Sequence, residues 1–271
     1  MTKPLISVII GAYNVESKEV LQRAVGSIMR QSYGNFECVI CDDGSQNETY
    51  TWLEKISNSD RRIILLRNDQ NMGLAATLNK CLDIARGELV ARQDTDDISE
   101  PQRFAEQVNF LKKNQHIAFV GCNCTLYNEN GIWGERCFPE LPLKRDFLFG
   151  SPFVHGTLMF RKDCLQAVGG YRVAKETLRT EDYDLQMRLY AAGYYGSNIQ
   201  EKLYHFLEDG AAMKRRKYRY RIDEAVVRQK GFTALGLMPG AIPYVIKPLI
   251  VGLIPMQLLN RMKDIYYNRR V

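Results

Sequence analysis

The stretch "LISVIIGAYN", residues 5 to 14, is an apolar run that stops at Gly11 and turns polar at Tyr13 and Asn14. A strand covered on both faces reads this way, because neither side of its pleat meets water. A helical pattern follows: Val20, Leu21, Ala24, Val25, Ile28 and Met29 recur at helical spacing between Ser17 and Gln31, with Ser17 placed as N-cap. "FECVICDDGS" (36 to 45) then repeats the apolar strand running into a polar, glycine-containing turn. Residues 49 to 56 read as a short helix, "IILLR" (63 to 67) as a third strand, and Leu74, Leu78, Leu82 and Ala85 as the buried stripe of a helix after Gly73. "ELVARQ" (88 to 93) makes a fourth strand. Strands alternating with helices predict an α/β fold with a mostly parallel central sheet and helices on both faces. Such sheets bind ligands beyond the carboxyl ends of their strands. Three of the four strands end in "GAYN", "CDDGS" and "QDTDD", so Tyr13, Asn14, Asp42, Asp43, Asp94, Asp96 and Asp97 should converge on one rim.

After Asp97 the pattern predicts a helix with Ser99 as N-cap, Gln102 completing a capping box, Pro101 in the first turn and Phe104, Val108 and Leu111 on one face. "HIAFVGCNC" (116 to 124) reads as a strand, residues 125 to 150 as hairpin or loop, and about Thr180 to Ala192 as a helix.

With 271 residues, 45% of them hydrophobic, the chain can bury a real core as one large domain or one domain with an appendage. Seven cysteines are an odd number, and the N-terminus carries no basic-then-apolar signal, which favours a reducing, cytoplasmic location over a disulfide framework. Cys122 and Cys124 have no second Cys or His pair at zinc-site spacing. The net charge of +6 is unevenly spread: residues 1 to 209 hold 24 Lys and Arg against 28 Asp and Glu, while residues 210 to 271 hold 13 against 3. Positive charge therefore belongs to the C-terminal stretch.

The three carboxylates of "QDTDD" have two readings. One is an acidic cluster capping the next helix and facing solvent. In the other, two carboxylates one residue apart supply hard oxygen donors for Mg²⁺ or Mn²⁺, ions that keep positions open for phosphate oxygens.

The succession "SVIIGAYN", "CVICDDGS", "NMGLAATLN", "ARQDTDD", "GGYR" and "TEDYDLQMRL" resembles the family 2 glycosyltransferases, enzymes of the Rossmann-like GT-A fold, over about residues 4 to 210. The resemblance implies a catalytic domain over residues 1 to 210 and a basic, apolar tail over 211 to 271. It also implies a nucleotide-sugar donor, here UDP-linked, with Ala12, Tyr13, Asn14, Asp42 and Asp43 at the base and ribose and Asn71, Gly73, Asn79 and Thr95 nearby. Asp94 and Asp96 would hold ribose and metal, Asp182 with Glu181 beside it would supply the general base, and Gly169, Gly170 and Tyr171 would form the acceptor-side loop. Where many relatives have Ala-Arg-Asn, this chain has Thr77-Leu78-Asn79, so an arginine for base or phosphate is missing there. Arg92 either takes its place or pairs with a neighbouring carboxylate. His155 either adds a nitrogen ligand to the metal or is a hydrogen-bonded core residue.

Glycosyl transfer needs charge on a leaving diphosphate to be stabilised and an acceptor hydroxyl to be deprotonated. Asp182 sits at a predicted helix start, where the helix dipole should lower its pKa and keep it ionised. In-line attack would invert the anomeric centre. Two other classes stand beside this one: a D-x-D phosphatase, whose motif follows the first strand rather than the fourth, and a non-catalytic glycan- or lipid-binding subunit, against which intact Asp94, Asp96 and Asp182 argue.

"MKRRKYRYR" (213 to 221) packs six positive charges and two tyrosines into nine residues, which suits nucleic acid or an anionic membrane. The apolar, proline-broken segment after it favours the membrane over nucleic acid. Its longest uncharged run after Lys247 is 13 residues, short of the roughly 20 that a span needs. The tail is therefore read as lying on the inner membrane face, with packing on the catalytic domain or in a homodimer as the other reading. An acceptor that is a lipid-linked saccharide of cell-surface polysaccharide assembly follows by analogy.

Overall fold

The computed structural model describes residues 3–208 and 218–254. Its first half alternates strand and helix: β1 (Ile6–Ala12), α1 (Lys18–Met29), β2 (Phe36–Asp42), α2 (Thr49–Ser57), β3 (Ile63–Arg67), α3 (Leu74–Ile84) and β4 (Leu89–Arg92). Ser17 caps α1 as its sequence position predicts, accepting from the Val20 N–H at 3.3 Å. β3, β2, β1 and β4 lie side by side and parallel. The chain moves outward from β1 to β3 and then returns to the other side of β1, so the strand order reverses between β1 and β4. That reversal opens a crevice beyond Ala12 and Arg92.

The second half contributes β5 (Ile98–Ser99), α4 (Arg103–Lys113), β6 (Phe119–Asn128), β7 (Gly131–Arg136), β8 (Met159–Arg161), α5 (Lys162–Ala167), α6 (Glu181–Ala191) and β9 (Gly196–Leu207). The full strand order is β3-β2-β1-β4-β8-β6-β9-β5, with β7 paired to β6. β8 runs antiparallel to β4 and β6, whereas β9 returns parallel to β6. The stretch 125 to 150 therefore contains a hairpin, β6 and β7, closed at Gly131, whose φ of 107° suits glycine.

Period-two alternation splits the core into two layers. Val8, Ile10, Cys38 and Ile40 face α1 and α4, packing with Leu21, Val25, Phe104 and Val108. Ile9, Val39, Cys41 and Val90 face the other way, toward Leu78, Leu185 and Leu189.

Two expectations change. Ser99 does not cap α4, because pairing of β5 with β9 takes it into the sheet. Its hydroxyl donates to Gln93 Oε1 at 2.7 Å and accepts from Arg103 Nη1 at 2.7 Å, and Gln102 makes no side-chain cap. The helix end is served from a distance instead, Phe104 N–H donating to Gln31 Oε1 at 3.0 Å.

The second concerns the basic C-terminal stretch, whose described residues take up the packing on the catalytic domain that was its other reading. Helices α7 (Arg219–Ala234) and α8 (Ile242–Leu253) lie against the catalytic fold, with Val227, Phe232, Leu235 and Ala241 buried in the same layer as Ile9 and Val90. α7 approaches α6 so closely that a Cβ on Gly231 would stand 2.3 Å from Met187 Sδ. Arg228 is buried and donates to the carbonyls of Leu148 and Tyr244. Among the described residues no helix is long and apolar enough to cross a membrane. The remaining basic and apolar residues of the tail, 209–217 and 255–271, lie outside the described residues.

Candidate active site

The crevice beyond β1 and β4 consists of two adjoining hollows. The first, of about 390 Å³, is lined by Ala12, Tyr13, Asp43, Asn71, Gly73 and Thr77 among others. The second, of about 490 Å³, is lined by Asp94, Ser151, His155, Glu181 and Asp182. Leu74, Arg179, Glu181 and Tyr220 line both.

The first hollow is shaped by turns that lock one another. Asn14 adopts a φ of 44°, its N–H donating to Ser45 Oγ and its Oδ1 accepting from the Gln46 N–H, both at 2.9 Å. Asp42 lies fully buried beneath the hollow and pairs with Arg67. Asp43 accepts from the N–H groups of Met72 (2.8 Å) and Gly73 (2.9 Å) and from Asn68 Nδ2 (2.8 Å), fixing the loop before α3. Gly44 lets that loop approach, since a Cβ there would stand 2.5 Å from the Gln70 carbonyl carbon. Several side chains expected to hold a nucleotide thus also build the walls that would receive one.

Asn79 is displaced from its expected place. Its Nδ2 donates to the Tyr171 carbonyl at 2.8 Å and its Oδ1 accepts from the Tyr171 N–H at 2.9 Å, the two bonds of a backbone clamp. It lines a separate cavity with Gly169, Gly170 and Lys162 rather than either hollow. Gly169 and Gly170 have φ of 72° and 66°, and a Cβ on Gly170 would stand 2.7 Å from Asn79 Oδ1. Tyr171 is buried, its hydroxyl 2.8 Å from His155 Nε2. Of the readings left open for His155, the structure supplies the hydrogen bond. Burial, with the Arg92 charge nearby, pushes its pKa well below the ordinary range, so the ring is neutral.

Arg92 is fully buried and its Nη2 donates to Asp94 Oδ1 at 2.5 Å, so it serves the carboxylate from below rather than the crevice directly. Asp94 is partly exposed, Thr95 is half-buried and Asp96 is exposed, but Asp97 is buried and accepts from the Leu207 N–H at 2.7 Å. Burial and the charges of Asp94 and Asp96 push the Asp97 pKa well above the carboxylate range. The acidic run therefore divides: Asp97 holds β9, while Asp94 and Asp96 face outward. Gly156 leaves room for Asp94, since a Cβ there would stand 2.2 Å from Tyr204 Oη and 2.9 Å from Asp94 Oδ2.

Across the second hollow, Glu181 and Asp182 occupy the first turn of α6. Burial raises the Asp182 pKa and outweighs the N–H groups of Tyr183 and Asp182 that favour its charge, so the expected lowering by the helix end does not occur. Glu181 is pushed up to about 8 by burial and by Asp182, and its Oε2 has no hydrogen-bond partner. Burial thus disfavours charge on both carboxyls, and near neutral pH Glu181 keeps its proton.

Reading the sequence missed the wall made by α7. Tyr220, Arg221, Glu224 and Arg228 all line the second hollow, with Arg179 beside them. Glu224 is held by Arg221 (3.3 Å) and Arg228 (3.0 Å). A chain of ion pairs, Arg188–Asp184–Arg172–Glu176–Lys230, ties α6, the loop before it and α7 together. The basic run "KYRYR" carried the signal for α7, but its charge pointed to an external partner.

A doubly covered sheet with carboxylates lining a crevice at the strand reversal is the arrangement of an α/β enzyme that binds its ligand beyond the strand ends. The model of glycosyl transferase family 2 matches residues 7–169, and the chain belongs to that family. It is 39% identical over 269 residues to EpsE of Bacillus subtilis, which carries a glycosyltransferase name, covering 99% of this chain and 95% of that one. It is 30% identical to the Escherichia coli UDP-Gal:alpha-D-GlcNAc-diphosphoundecaprenol beta-1,3-galactosyltransferase, over 79% of this chain and 78% of the relative. Among solved structures, S. aureus TarS 1-349 in complex with UDP-GlcNAc superimposes with a TM-score of 0.71 at 18% identity, covering 93% of this chain and 76% of TarS, a likeness of fold.

Proposed function

We infer that this glycosyltransferase moves a sugar from a UDP-linked donor to a hydroxyl of a lipid-linked saccharide, with inversion, in the assembly of a cell-surface polysaccharide at the inner membrane face. The observation that carries the reading is that Asp94, Glu181 and Asp182 line one hollow. The names of the relatives that use UDP-sugars and diphosphoundecaprenol-linked acceptors support the substrate class.

Among the described residues no group of three or more His, Cys, Asp or Glu forms a cage for a metal. Two outward carboxylates in place of a cage fit Mg²⁺ or Mn²⁺ of the kind that shares its coordination with a substrate's phosphates. Asp94 and Asp96 would hold such an ion, which when bound supplies neutralisation of the leaving diphosphate. His155, hydrogen-bonded to Tyr171, is not among its ligands in this reading. Asp182 takes the proton of the acceptor hydroxyl while the hydroxyl oxygen bonds to the anomeric carbon and the bond to the diphosphate breaks, its electrons leaving with phosphate. Arg92 holds Asp94 in place throughout. Ala12, Tyr13, Asn71 and Gly73 line the hollow for base and ribose, and the loop at Tyr171 supports the acceptor side.

Calorimetric titration of the full chain with UDP, GDP and dTDP, each with and without Mn²⁺, tests this. The expected result is metal-dependent UDP binding that is lost in Asp96→Ala. Failure of every nucleotide to bind would overturn the reading.

A further inference from the structure

Arg179 stands at the joint of the two hollows. Its guanidinium lies over the Tyr220 ring, 5.6 Å from the centroid, so α7 holds it across the crevice. It is exposed and forms no ion pair with a described carboxylate. Among the described residues that line the hollows, Arg221 and Arg228 are committed to Glu224, and Arg92, buried, pairs with Asp94; Arg219 also lies over the Tyr220 ring, 4.9 Å from its centroid, but lines neither hollow. Carboxyl groups line both hollows, Asp43 the first, Asp94 and Asp182 the second, and Glu181 both.

A nucleoside diphosphate with its base end in the first hollow and its sugar end in the second must pass its phosphates through the joint. There it would meet carboxylates, and apart from a metal ion at Asp94 and Asp96 the charge would have to be offset by a protein cation. The geometry points to Arg179 as the residue that grips the donor's phosphates, oriented by Tyr220 of α7, so that the C-terminal helix completes the donor site. A planar guanidinium stacked on an aromatic ring keeps N–H groups free to bind two phosphate oxygens at once, which a lysine ammonium does less well. This rests on the nucleotide-sugar reading given above and adds to it a particular cation and a particular helix.

The test compares UDP, UMP and uridine binding to the full chain in the presence of Mn²⁺ by calorimetry in wild type, Arg179→Gln, Arg179→Lys and Tyr220→Leu. Arg179→Gln should weaken UDP at least tenfold and UMP less, while uridine stays within twofold. Arg179→Lys should recover part of the loss, and Tyr220→Leu should show a smaller loss with the same preference for the diphosphate. UDP binding within twofold of wild type in Arg179→Gln, or equal losses for UDP and uridine, overturns the assignment alone. If the wild-type chain binds none of the three, the nucleotide reading fails and this one fails with it.

Discussion

Asp182 and Glu181 are adjacent in sequence, and burial raises the pKa of each. Asp182→Asn keeps the shape of the carboxyl and removes its basicity, so transfer should fall by roughly 10²-fold or more, the scale of a general base. UDP affinity should stay within a few-fold; near-normal turnover in that variant would remove Asp182 from the role. Glu181 has an ordinary value of 4.5 and about 8 in the folded chain. The folded state therefore holds a proton that the unfolded state has released across that interval, and folding stability should fall as pH rises from about 4.5 to about 8. Denaturant unfolding at pH 5 and pH 8, in chelator, should show Glu181→Gln to be less pH-sensitive than wild type. Equal slopes would mean that Glu181 titrates normally. At this scale the sequence marked Asp94, Glu181 and Asp182, which line one hollow, because strand ends and helix starts are legible from pattern. It misplaced Asn79, whose clamp on Tyr171 is a contact across 92 residues that no local spacing reveals.

At the scale of elements, the misreadings share a cause. Ser99-x-x-Gln102 has the local form of a capping box, but a strand pair made with residues 204 and 205 outcompetes it. α7 was hidden by its charge: six of the residues from 213 to 221 are basic, and its buried positions Val227 and Phe232 stand among polar residues. Phe232 is fully buried, so Phe232→Ala should cost about 3–5 kcal/mol by denaturant unfolding. A loss below about 1 kcal/mol would show that α7 is only loosely attached. Truncation before Met213 would strip this layer from the core and would not be a clean test of membrane attachment.

For the whole molecule, the better test lies on the outer face of α8. Ile242, Ile246, Ile250 and Leu253 recur along one side of the helix and are 46%, 43%, 58% and 73% exposed. An apolar stripe beside a basic segment suits an anionic bilayer surface. Ile246→Glu with Ile250→Glu should reduce co-sedimentation with phosphatidylglycerol vesicles several-fold while leaving UDP binding unchanged. Undiminished sedimentation would assign the stripe to another contact, including a second copy of the chain. The general architecture, parallel strands with a rim of carboxylates, was readable from the first 100 residues because each unit of that half is local. The antiparallel β8 and the return of β9 beside β6 join residues far apart in sequence and leave no comparable pattern.

The position of α7 also bears on the order in which the chain is made. Residues 6 to 207 supply the whole sheet and the acidic pair before the ribosome reaches Arg219. Until α7 emerges and docks on α6, the nascent protein has a sheet layer open at Phe232's place and a crevice lacking one wall. A growing chain thus has its acidic residues before it has the wall against which a donor would be held.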